Sequence, residues 1–259
     1  MYWQDRMLLM QRKVANKSIK QIEKQMTKYY IEAAKKCMED FESVYDKLLA
    51  TTAAGQQPTP ADLYKLDKYW TAQAAIRDEL LKLGNKEIKL LSEAFEANWF
   101  EVYYSTLIPN VEDRMFNTVD KSLVQEMINQ IWCADGKSWS ERIWENAERL
   151  AETLNEQLIH CVATGKKTTD LKNLLQERFG VSYSRADALV RTEIAHIQTQ
   201  AAQKRYEDYG IQEVEIWADE DERRCDVCGE LHRKKYPMGA TVPIPAHPRC
   251  RCCIVPVVD

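Results

Sequence analysis

The sequence predicts a mainly α-helical protein: long N-terminal helices, then a helical C-terminal domain that ends in a small, cysteine-bearing β module. Three observations predict it. The first fifty-four residues contain neither glycine nor proline, helix start and stop signals recur as far as Gly210, and five of the eight cysteines lie in the last thirty-five residues. At 259 residues, 45% apolar and 29% charged, the chain is long enough to bury a real core in one large or two modest domains.

Tyr30, Ala34, Cys37, Phe41, Val44 and Leu48 recur at steps of three and four, which predicts one long amphipathic helix. Gly55-Gln56-Gln57-Pro58 ends it. Thr59 then offers an N-cap, Pro60 the first helical position and Asp62 a carboxylate at the positive end of the dipole, starting a second helix that runs to about Gly84. A third, from Asn85 to near Leu107, carries Leu90, Leu91, Phe95, Trp99 and Tyr103 and stops before Pro109, and a fourth falls between Val111 and Trp132. Residues 1–135 therefore read as a helical bundle or extended helical hairpins.

Residues 136–259 form the second predicted domain. Ser138 or Ser140 caps a helix through Trp144, Leu150, Leu154 and Leu158 to about Gly165. Thr169 caps a short helix, Asp170 to Phe179, closed by Gly180. Ser182 or Ser184 starts another, with Ala188, Thr192, Ala195, Thr199, Ala202 and Tyr206 on one face, which reaches Gly210. Strand character follows in the alternating Val214-Glu215-Ile216-Trp217 and the β-branched Ile254-Val255-Pro256-Val257-Val258, whose proline suits an edge strand.

Cys225-x-x-Cys228 is followed after eighteen residues by His247-x-x-Cys250, with Cys252 and Cys253 just beyond. Two short knuckles, each presenting two soft ligands across a tight turn, close a tetrahedron around zinc and staple a segment of about residues 214–259 that has little core of its own. The competing readings are a disulfide pair or thiols buried as small hydrophobes. The expected ligands are Cys225, Cys228, His247 and Cys250, with Cys252 the rival for the fourth place. In an extended segment Cys250 and Cys252 project to one side and Cys253 to the other, which makes Cys253 a core residue. His232 is a second candidate for the place of His247. Four protein ligands leave no position for an activated water, so the expected zinc is structural.

A resemblance rests on these same residues. Arg191-Thr192-Glu193 on a helix, a strand ending in Trp217 with Asp219 and Asp221 beyond it, Cys225-x-x-Cys228, and Pro245-Ala246-His247-Pro248-Arg249-Cys250-Arg251-Cys252 come in this order. Over about residues 138–257 this resembles the phage head-morphogenesis family, the minor capsid or Mu F-like proteins. The resemblance implies a low-copy virion component near the portal vertex that contributes to head assembly, DNA packaging or genome delivery, with the portal, capsid or scaffolding proteins as partners. It implies no reaction.

Other features divide between chemistry and structure. Arg191 and Glu193 stand two apart on a helix and so point in different directions, which favours a structural anchor tying the helix to the zinc segment over catalysis. Asp219, Glu220, Asp221 and Glu222 read as a solvated acidic turn, and His160 and His196 lack a nucleophile at a recognisable spacing. Lys13, Lys17, Lys20, Lys24 and Lys28 form a basic stripe on the first helix that would meet packaged DNA or an acidic portal surface, or be a solvated face. The net charge of -4 names no partner. No signal peptide and no run long enough to span a bilayer is present in the sequence, so the expectation is synthesis in a reducing host cytoplasm, no membrane association and residence in the virion. A zinc-stabilised DNA-binding protein is the alternative, and a hydrolase or toxin the third reading.

Overall fold

The computed structural model describes residues 2–53, 56–108 and 118–258. Among them are seven helices and one three-stranded sheet. Gly55, Pro109 and the start of the expected fourth helix lie outside the described residues.

α1 spans Trp3–Thr51 without interruption. Ile22, Met26, Tyr30, Ala33, Cys37, Phe41, Val44 and Leu48 are buried along it, at the three- and four-residue steps of a single face. Ala33 rather than Ala34 takes the core position. The Thr59 start signal holds as a capping box, with Asp62 N bonded to Thr59 Oγ1 at 3.3 Å and Thr59 N to Asp62 Oδ2 at 3.1 Å. The helix it starts is short, however: α2 covers only Pro60–Tyr64, and a new helix, α3, runs over Asp67–Ser105. Gly84 lies inside α3 rather than ending it. A Cβ at Gly84 would stand 2.6 Å from the Trp144 ring, so this glycine serves close packing and not a cap.

α4 spans Lys121–Ile128, capped by Asp120. α5 spans Trp139–Thr164. It ends as predicted at Gly165, in the left-handed region at φ 62°, with Lys166 N bonded to Cys161 O at 3.0 Å and Gly165 N to Val162 O at 3.3 Å. The two helices expected on either side of Gly180 are one: α6 runs over Thr168–Asp208. Glycine weakens a helix interior by only about 1 kcal/mol, and the buried faces on both sides of Gly180, with Leu171, Leu175, Phe179, Ser182 and Ala186, outweigh that cost. α6 closes at Gly210, φ 72°, with the same pattern of bonds as α5.

The sheet has the order β2-β1-β3, all antiparallel. β1 is Glu213–Trp217, β2 is Lys235–Pro237 and β3 is Cys253–Pro256. β3 pairs with β1 alone, so Pro256 sits on an edge strand, opposite Val214. The short helix α7, Asp226–Leu231, lies between β1 and β2.

The chain divides into two compact units, each assembled from separate stretches. One comprises Glu23–Lys89 and Ser140–Ala186 and is helical. Phe41, Leu48, Ile76, Leu80, Leu154, Leu158 and Leu175 are buried in it. Asn146 Nδ2 donates to Tyr30 Oη at 3.3 Å and to the Ser182 carbonyl at 3.1 Å, joining α1, α5 and α6. The other unit comprises Met1–Ile22, Leu90–Trp139 and Asp187–Asp259 and contains the sheet. Met7, Leu8, Trp217, Cys253 and Val255 pack together in it. The buried Tyr206 hydroxyl of α6 donates to the Ile254 carbonyl of β3 at 3.3 Å, and Trp217 Nε1 donates to Asp5 at 3.1 Å.

Candidate metal centre

The turn after β1 brings the first cysteine pair to the start of α7. Cys225 is the N-cap: its backbone is extended, and its Sγ accepts from Cys228 N at 3.4 Å. This places both sulfurs at the end of one helical turn. The second knuckle comes from the segment before β3, where Ile244-Pro245 is cis and Cys250 N bonds to the His247 carbonyl at 3.1 Å.

The two knuckles meet. His247 Nε2 is 3.3 Å from Cys225 Sγ and 3.2 Å from Cys228 Sγ, and Cys228 Sγ is 3.8 Å from Cys250 Sγ. His247 Nδ1 donates to the Pro248 carbonyl at 2.8 Å, which fixes the tautomer and leaves the Nε2 lone pair facing the thiols. Two sets of three donors each lie within 4.8 Å internally: Cys225, Cys228 and His247 in one, and Cys228, Cys250 and Cys252 in the other. Cys228 belongs to both. An ion bonded to sulfur at about 2.3 Å in a tetrahedron holds its sulfurs about 3.8 Å apart, so this donor set fits a soft tetrahedral metal ion. Cys250 and Cys252 both face the cluster, and the structure keeps both available for the fourth place.

The thiols do not share one environment. The backbone N–H of Cys228 holds the Cys225 thiol below its ordinary range. Burial pushes Cys228 up to about 12. Hydrogen bonding from Cys252 brings Cys250 down to about 5, while Cys252 itself is raised. Burial lowers His247, but the Pro248 carbonyl and the facing thiols outweigh it and the net direction is upward. Negative charge thus settles first on Cys225 and Cys250, the charge pattern that attracts a cation.

The other predicted positions fall as follows. Cys253 opens β3 opposite Trp217 and is 2% exposed, part of the apolar core. His232 lies outside both donor sets: its Nδ1 accepts from Ala218 N at 3.1 Å and its ring packs edge-on against Trp217. Glu193 is buried on α6 and accepts from Trp132 Nε1 at 3.0 Å. Arg191 Nε donates to both carboxylate oxygens of Asp187, at 3.0 and 3.1 Å. The bonds that fasten α6 to the second knuckle include two the sequence did not suggest: Arg249 N to Thr192 Oγ1 at 3.1 Å, and Arg249 Nη2 to Asp187 at 2.9 Å. Arg191 joins this tie through the shared Asp187 carboxylate.

The acidic turn is only partly solvated. Asp219 accepts from Arg12 at 2.6 Å and from Arg251 at 2.9 Å, and its side chain is 14% exposed. Arg251 also forks onto Asp221, holding that carboxyl well below its usual range. Arg12, far away in sequence, and Arg251 are thus partners of the turn alongside the adjacent Arg224, which reaches Glu220 at 3.7 Å; no local signal marks the distant pairings. Lys13, Lys17, Lys20, Lys24 and Lys28 are all exposed on α1, and Lys17 pairs with Glu101 at 2.9 Å. No helix among the described residues is long and apolar enough to cross a membrane.

No curated protein and no solved structure matches the chain. Residues 152–255, a stretch that holds α6, the sheet up to Val255 and every donor of the cluster, match the family described as Phage Mu protein F like protein, consistent with a phage head-morphogenesis or minor capsid protein.

Proposed function

We propose that this chain is a minor structural protein of a tailed-phage head that docks at or near the portal and contributes to head assembly, DNA packaging or genome delivery. The observation that carries the reading is the family match over residues 152–255, which ends within the strand that follows the thiol cluster. In this reading zinc sits at the cluster, held by Cys225, Cys228, His247 and Cys250 or Cys252, and replaces the apolar core that a segment with three strands of three to five residues lacks. The metal closes a fold and leaves no open coordination position, so the protein acts by binding and without turnover. Its place is the virion, and its partners are the portal protein and the capsid or scaffolding proteins.

The test is co-expression with the portal protein of the same phage, read by size-exclusion light scattering. Comigration at a stable ratio is the expected result. A folded, zinc-loaded chain that elutes alone from the portal ring, at both low and physiological salt, would overturn docking at the portal.

A further inference from the structure

Within the unit that contains the sheet, a cleft of about 640 Å³ is bounded on one side by His247, Cys250 and Cys252 of the thiol cluster. Its lining includes Arg12, Arg191, Arg223, Arg249 and Arg251 but only one carboxylate, Asp187. In a chain with a net charge of -4, this is a local excess of positive charge that overall composition hides. The guanidiniums are also held in place. Arg191 and Arg249 share Asp187, while Arg12 and Arg251 share Asp219, which lies outside the lining. These carboxylates, together with Asp221 on Arg251, orient the guanidiniums around the cleft, an arrangement suited to donors around an oxyanion.

A further feature points to a ligand. Gln11 lines the cleft at 4% exposure, and its side-chain Nε2 is buried without a hydrogen-bond partner among the described residues. A buried donor left unpaired calls for an acceptor. Arg249 stands in the left-handed region at φ 62°, where glycine would cost less, and its backbone N is fastened to Thr192 Oγ1. Leu8, Ile19, Ile194 and Pro248 supply an apolar stretch of the same lining.

We propose that this cleft binds a phosphate-bearing ligand of nucleotide size, with the phosphate against the arginines and Gln11 and the less polar part along the apolar residues. A cleft of this volume lies in the range of roughly 300–1,000 Å³ typical of small-ligand sites and exceeds what inorganic phosphate alone fills. The phosphate comes from a free nucleotide or from a nucleic-acid strand, and the site is separate from the exposed lysines of α1. The inference does not depend on docking at the portal.

The test is titration calorimetry of the full, metal-loaded chain with inorganic phosphate, thymidine monophosphate and an oligothymidylate. The variants are Arg249→Gly, which relieves the positive φ, and Arg223→Gln, at an exposed side chain. Lys13→Gln with Lys20→Gln is the control. Each arginine variant is expected to weaken binding of the mononucleotide roughly tenfold, with unchanged metal content and melting temperature within a few degrees in Arg223→Gln, and the lysine control to leave it unaltered. An oligothymidylate that binds much more tightly than the monophosphate, with the same loss in the arginine variants, identifies a strand as the source; equal affinity identifies the free nucleotide. No binding of either, binding of phosphate with the nucleotide excluded, or nucleotide binding that only the lysine control weakens, overturns the proposal.

Discussion

Single residues in this chain decide issues that their neighbours leave open. Glu87 is 2% exposed, and burial raises its carboxyl to about 8 despite a hydrogen bond from Tyr30. The carboxyl is therefore protonated in the folded chain at neutral pH but ionised in the unfolded one, whose carboxyl titrates near 4.3. Its contribution to stability is full below about pH 4.3 and falls as pH rises towards 8, where the folded form also ionises. Glu87→Gln keeps the hydrogen-bonding shape without the charge, so the melting temperature at pH 7.5 is expected to rise by an amount equivalent to about 1 kcal/mol or more, with a flatter pH profile between 5 and 8. An unchanged slope in thermal melts across that range would show that Glu87 is not the group responsible. Gly84→Ala sets two effects against each other. Alanine adds about 1 kcal/mol of helix propensity, but a Cβ 2.6 Å from the Trp144 ring forces movement, at a cost of about 1–3 kcal/mol. The expected outcome is a lower melting temperature, and a rise would mean that Trp144 moves aside freely.

At the scale of elements, the cysteine knuckles illustrate how local sequence and packing share the work. Cys225 and Cys228 are positioned by a single helical turn, because an N-cap sulfur and a first-turn sulfur necessarily meet. His247 and Cys250 are positioned by a turn anchored on α6 through Thr192 and Asp187. Cys228 alone belongs to both donor sets, so Cys228→Ser is expected to reduce bound zinc from about one equivalent to below half, measured by elemental analysis of untagged, reduced protein. Cys250→Ser and Cys252→Ser should differ: the ligand loses metal, and the other thiol does not. Full zinc retention in Cys228→Ser would refute the assigned centre. Far-ultraviolet circular dichroism should change little in any of these variants, since helix dominates the signal. The same reasoning explains which element limits the sequence located well. The ends of α5 and α6 follow from Gly165 and Gly210, which supply a left-handed cap. Gly84 and Gly180 offered the same signal but sit inside helices, because whether a glycine caps or continues depends on the face packed against it.

At the scale of the whole molecule, the charge of -4 describes no particular surface. Lysines exposed on α1 and arginines gathered in one cleft are two different basic surfaces, and the portal co-purification and nucleotide titrations probe them separately. The sequence by itself determined that the chain is helical with a terminal sheet, that Cys225, Cys228, His247 and Cys250 belong together, that Pro256 lies on an edge strand, and that the C-terminal part resembles head-morphogenesis proteins. Each of these depends on spacing within a few residues or on an ordered set of short motifs, which sequence carries directly. Tertiary structure alone decided that Arg12 meets Asp219, that Asp187 gathers Arg191 and Arg249, that Cys252 also faces the thiols, and that Glu87 is buried. Those outcomes depend on which residues distant in sequence come into contact and on how much water is excluded around them, and a helical or extended pattern fixes which face a side chain occupies but not what packs against it.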